Sequence, residues 1–163
     1  MASEAVWLRL FRPKVDWVED ACALCEKNPL FEKVPRKSIR WLVSRMHLRT
    51  YKAGESIFSM GNAGAGAVLM LAGEVSVSVK DVELDRMQRG DLFGEVALAT
   101  ELPRTAEVVA IRDCELVFFL RSDLKEWLAI MPKEAARLLQ NLSKMLAQRL
   151  MDKNKMITQQ ENQ

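Results

Sequence analysis

Two short stretches hold the residues best suited to chemistry. One reads Gly90-Asp91-Leu92-Phe93-Gly94-Glu95-Val96-Ala97-Leu98, and the other Pro103-Arg104-Thr105-Ala106. A guanidinium such as that of Arg104 can grip two oxygens of one anion with parallel, charge-assisted hydrogen bonds, a geometry an ammonium lacks. Gly94 lets backbone come close to such a ligand, and a short helix following it would aim N–H groups at the same anion. Glu95 can accept a hydrogen bond from a hydroxyl, and Thr105 adds a hydroxyl beside the arginine. Pro103 stiffens the approach to Arg104. One fork-shaped cation, one carboxylate and a close-approach glycine suit an anionic, hydroxylated ligand. No pair of residues suits acid–base or covalent work, and neither a nucleophile elbow nor a P-loop is present. Binding without catalysis is the expectation.

The rest of the composition narrows the setting. At 163 residues the chain fits one domain of ordinary size, and 49% apolar content supports a packed core. A formal net charge of +2 gives no field of the kind that marks a nucleic-acid binder. Three cysteines, Cys22, Cys25 and Cys114, are too few and too odd in number for a secreted disulfide framework. No apolar run reaches the ~20 residues of a membrane helix, and no leader pattern opens the chain. A cytoplasmic location is expected. Cys22 and Cys25 form a C-x-x-C inside a helical pattern, which reads as two buried side chains on one face rather than a redox pair. With His47 the only histidine and Cys114 far along the chain, no metal site is expected. His47 itself reads as a surface or packing residue.

Helical patterns flank a β-rich middle. Trp17, Val18, Ala21, Leu24 and Cys25 recur at helical spacing between Asp16 and Asn28, and a second helix is predicted from about Pro35 to Arg45. Between His47 and Leu120, β-prone runs alternate with glycine turns: 48–51, 56–58, 67–71, 75–79, 107–111 and 115–120. Ser122 is the expected cap of a following helix, and Pro132 precedes a long one running to about Met156. The predicted fold class is α+β: an antiparallel jelly-roll-like β-barrel with flanking N-terminal helices, a short helix after Gly94 and two C-terminal helices. The expected divisions are an N-terminal helical extension over 1–29, a single domain over 30–157 and a disordered polar tail over 158–163.

Phe-Gly-Glu, a hydrophobic residue, Ala-Leu, a gap and then Arg-Thr-Ala resembles the phosphate-binding cassette of the cyclic nucleotide-binding domain family, shared by catabolite-activator-type regulators, cyclic-nucleotide-dependent kinases and cyclic-nucleotide-gated channels. The Glu95-to-Arg104 spacing matches the kinase form. Tyr51-Lys52-Ala53-Gly54-Glu55, Gly61 and Gly73-Glu74-Val75 resemble the family's other turns, and the likeness runs from about Leu30 to Leu150. The resemblance implies a ligand, cAMP or cGMP, and no other cofactor. It implies a site built from Phe93, Gly94, Glu95, Val96, Ala97, Arg104, Thr105 and Ala106, with Arg104 on the cyclic phosphate and Glu95 on the ribose 2′-OH. By the same resemblance Val75, Met87, Met145 and Arg149 line the base, and a hydroxyl at Thr105 goes with tolerance of cGMP.

It further implies a sensor that signals by moving its C-terminal helix, which carries Leu138, Leu139, Leu142, Met145, Leu146 and Leu150 on its apolar face. That helix could meet a second copy or an effector protein. Catabolite-activator relatives carry a helix-turn-helix after this point, and the chain's end near Gln163 leads to an expectation of no specific DNA binding. Two other readings stand beside this one: a regulatory domain of a gated channel or other multidomain protein, and an interaction module with a degenerate pocket. Trp7, Leu8, Leu10 and Phe11 either fold back on the barrel or dock on a partner.

Overall fold

The computed structural model describes residues 16–161; Trp7, Leu8, Leu10 and Phe11 lie outside them. Helix α1 (Trp17–Lys27) starts where the Asp16 carboxylate accepts from Val18 N at 3.1 Å. It ends at Asn28, whose side chain accepts from Leu30 N as the chain enters a 3₁₀ turn, Pro29–Phe31. Helix α2 (Arg36–Val43) follows Pro35. Eight strands come next: β1 (His47–Tyr51), β2 (Ser56–Phe58), β3 (Gly66–Ala72), β4 (Glu74–Val79), β5 (Val82–Gln88), β6 (Leu92–Phe93), β7 (Glu107–Ala110) and β8 (Cys114–Leu120). A four-residue helix, α3 (Val96–Ala99), sits between β6 and β7. Helices α4 (Arg121–Ile130) and α5 (Pro132–Glu161) complete the order.

The strands pair antiparallel as β1·β8, β2·β7, β3·β6 and β4·β5, the jelly-roll arrangement. They form two four-stranded sheets, β1-β8-β3-β6 and β2-β7-β4-β5. The sheets face each other as a sandwich, which is the form the expected jelly-roll-like barrel takes; among the described residues no ladder joins one sheet to the other.

Strand β3 shows why its sequence reads as one apolar run. Ala67, Leu69 and Leu71 point to the helices, where they join Phe31, Leu42, Val117, Phe119, Trp127 and Leu138 in one core. Val68 and Met70 point the other way and meet Val75, Phe93, Val108, Ala110 and Leu116 between the sheets. A strand covered on both faces has no polar side to show. The helical core also contains Cys22 and Cys25, both fully buried, and burial pushes both thiols up, which disfavours a thiolate. Asn141 in α5 fastens that helix to the 3₁₀ turn by donating to Leu30 O and Glu32 O at 3.0 and 2.9 Å.

Several elements differ from the sequence-based expectation, the two-residue strand β6 among them. β5 is an edge strand rich in charge, joined to β4 through Lys80 and Asp81, both at positive φ (49° and 64°). That is the two-residue hairpin turn usually marked by Asn-Gly, here without a glycine. Helix α4 begins at Arg121 rather than after Ser122, because the Asp123 carboxylate accepts from Leu120 N at 2.8 Å and caps the turn. Helix α5 continues past Met156 through Glu161, since no Gly or Pro interrupts the sequence there.

Candidate ligand-binding site

The cassette lies between β6 and β7. Gly94 has φ +71°, in the left-handed region, and a Cβ there would fall 2.6 Å from Arg104 Nη1 and 3.3 Å from the Phe58 ring. Glycine is required twice over, by backbone angle and by the guanidinium lying against it. Arg104 is fixed by three contacts. Nη2 donates to Gly66 O at 2.6 Å, Nη1 donates to Gly94 O at 3.2 Å, and the guanidinium lies 3.7 Å over the ring of Phe58. Burial pulls its pKa below the usual arginine value, and the Glu95 charge opposes that shift. An arginine stays cationic in proteins regardless. The site therefore holds a half-buried positive charge whose remaining N–H groups are free of the two carbonyls that orient it.

Glu95 is buried, 3% exposed, and its Oε1 accepts from Nη1 of Arg149, which reaches in from α5. A carboxylate taken this far from water needs a cation, and α5 supplies it. Ala97 N and Leu98 N close locally onto Gly94 O and Glu95 O at 3.2 and 3.0 Å. Ala97 thus contributes to the site as wall, not as an amide donor.

A cavity of about 600 Å³ opens over this group. It is lined by all eight residues of the expected cassette set: Phe93, Gly94, Glu95, Val96, Ala97, Arg104, Thr105 and Ala106. Of the four residues expected around the base, Met87 and Arg149 line it. Val75 is buried between the sheets, and Met145 packs against the helical core, so neither lines the cavity. Sequence reasoning missed Phe58, Val77, Leu84, Asp85, Leu92, Leu102, Pro103, Val108 and Lys153 as lining residues. Lys153 had a usable signal, standing one helical turn beyond Arg149 on α5. Phe58 and Gly66, the partners of Arg104, had none, because they sit on strands remote in sequence. Among the described residues, no cluster of His, Cys, Asp and Glu could hold a metal ion.

A jelly roll carrying an oriented guanidinium, a buried carboxylate and an apolar-walled cavity between cassette and terminal helix is a frame chemically suited to a small hydroxylated anion. The family model for the cyclic nucleotide-binding domain matches residues 48–130. The chain therefore belongs to the cyclic nucleotide-binding domain family. It is 30% identical over 128 residues to the cyclic AMP receptor protein of Thermus thermophilus, covering 76% of this chain and 57% of that protein. It is 30% identical over 93 residues to cGMP-dependent protein kinase, isozyme 1, of Drosophila melanogaster, covering 57% of this chain and 12% of the kinase. The crystal structure of the Thermus thermophilus catabolite activator protein matches with a TM-score of 0.71 at 28% identity, covering 80% of this chain and 62% of that one. In each case the match spans less than two thirds of the relative.

Proposed function

We propose that this chain is a non-catalytic cytoplasmic receptor domain that binds cAMP or cGMP in the cavity above Arg104 and signals through the position of α5. Arg104 takes the exocyclic oxygens of the cyclic phosphate, and Glu95 accepts the ribose 2′-OH. The base then lies over Met87, with Arg149 beside it. Thr105 stands next to the phosphate. The supporting observation is the Glu95–Arg149 ion pair, which ties α5 to the carboxylate the ribose needs. A ligand shifts a helix only by interacting differently with its two positions. A hydroxyl arriving at Glu95 changes what Arg149 gains there, so the ligand acts on α5 at the point of contact.

The output surface is the distal part of α5, where Leu150, Met151, Met156 and Ile157 stand exposed, and it would meet a second copy or an effector protein. Specific DNA binding is not part of this reading. No described helix is long and apolar enough to cross a membrane.

Hydrogen exchange over residues 145–156, measured with and without cAMP or cGMP, tests the signalling step. Altered protection on binding is expected. Binding that leaves exchange in this segment unchanged would make α5 a fixed element and contradict the proposed output.

A further inference from the structure

Arg121 opens α4, where the helix dipole disfavours a cation. Its side chain serves a different element. Nη1 donates to Thr100 O at 2.6 Å, Ala97 O at 2.7 Å and Gly64 O at 3.1 Å. The first two are carbonyls at the C-terminal end of α3, which a four-residue helix cannot satisfy internally. Arg121 N also donates to Ala65 O at 2.8 Å. The guanidinium is mostly buried, its side chain 22% exposed, and the carboxylate of Glu101, 3.7 Å from Nη2, is itself almost fully exposed.

The same short segment is also held by Arg104. Arg104 donates to Gly66 O through its side chain and to Asn62 O through its backbone, while Gly61 N donates to Arg104 O. A Cβ on Gly64 would fall 2.8 Å from Ala97 Cβ and 3.4 Å from Arg104 Nε, so cassette, segment and guanidinium are in close register. Arg121 lines no part of the cavity.

We propose that Arg121 is a positioning residue: it clamps residues 64–66 to the end of α3 and so fixes the carbonyl that orients Arg104 before any ligand arrives. Resting on the receptor reading above, this makes Arg121 a determinant of ligand affinity without ligand contact. The geometry distinguishes its role from that of Arg104. All three side-chain acceptors converge on one nitrogen, which a lysine ammonium with its three donors can imitate. The fork demanded at Arg104 cannot be imitated that way.

The test compares wild type, Arg121→Met, Arg121→Lys and Arg104→Lys. Calorimetric titration with cAMP and cGMP is combined with hydrogen exchange of the ligand-free proteins over residues 97–100. Arg121→Met keeps the apolar stem and removes the head group, and is expected to lose at least about tenfold in affinity, the scale of charge-assisted hydrogen bonds to buried carbonyls. Exchange at 97–100 should accelerate. Arg121→Lys is expected to bind within about threefold of wild type, whereas Arg104→Lys is not.

Wild-type affinity and wild-type exchange in Arg121→Met would overturn the clamp. So would a loss in Arg121→Lys as large as that in Arg121→Met, or a cooperatively folded Arg121→Met with lost affinity and unchanged exchange. If Arg121→Met does not fold, the Arg121→Lys result decides. A wild type that binds neither nucleotide would refute the receptor reading, and exchange at 97–100 would still decide the clamp.

Discussion

At the residue scale, Arg104 and Glu95 divide the work by charge and geometry. Arg104→Ala removes a half-buried cation already oriented by Gly66 O and Gly94 O, so the cyclic phosphate would lose its partner in a partly dry site. Losing one partner of such a pair costs about 2–5 kcal/mol, and affinity for cAMP and cGMP is expected to fall accordingly. Arg104→Lys should recover only part of it, because an ammonium lacks the fork. Equal affinity of Arg104→Ala and wild type in a competition assay would refute the phosphate assignment. Glu95 makes a separate prediction. If its carboxylate accepts the 2′-OH, Glu95→Ala weakens cAMP yet barely changes 2′-deoxy-cAMP, since protein and ligand changes remove the same contact. Strictly additive losses would assign Glu95 to holding Arg149 alone.

At the element scale, α1 is fastened to the turn between β5 and β6. Arg89 donates to both carboxylate oxygens of Asp20, at 2.5 and 2.8 Å, and Nη1 also reaches Leu71 O at 2.6 Å. The hydrogen bond from Arg89 holds the Asp20 pKa below its ordinary 3.8. A depressed folded pKa means the stabilisation is fully present above the unfolded value and is lost as pH falls through the folded one. The pair is partly exposed, so a contribution of about 0.5–1 kcal/mol is expected rather than the larger figure of a buried pair. Asp20→Asn should lower stability by that amount at neutral pH in urea titrations, and the gap to wild type should close below pH 3.8. A gap that persists undiminished in strong acid would assign the effect to packing.

The long helix also changes how it can be cut. A cut after Leu138 would remove Asn141 and Leu142, both buried against the helical core. Removal of residues after Leu146 spares that core while deleting Arg149 and Lys153 from the cavity.

At the scale of the whole molecule, what could be read in the sequence followed from how locally each feature is determined. The cassette was legible because its chemistry is confined to one stretch: a glycine at positive φ, a carboxylate next to it and an arginine after a short gap. The two-sided core of β3 was legible as an uninterrupted apolar run. The supports of Arg104 were not, because Phe58 and Gly66 meet it only through the sheet topology. Met145 was misplaced for a related reason. It stands one turn before Arg149, but α5 turns it toward the helical core while Arg149 and Lys153 reach the cavity. Strand β5 escaped notice because an edge strand tolerates charge and its Lys80-Asp81 turn lacks glycine. Closure into a barrel or separation into two sheets depends on edge pairings that no local pattern encodes.

Calorimetric titration of the purified chain with cAMP and with cGMP, each at two temperatures, tests the central claim most directly. Covering a purine with apolar walls gives a negative heat-capacity change, so binding heat cannot vanish at both temperatures. Saturable heat with one site per chain for at least one of the two nucleotides, abolished or strongly weakened in Arg104→Ala, is the expected result. No heat from either nucleotide at either temperature would contradict it and leave the cavity above Arg104 without its assigned ligand.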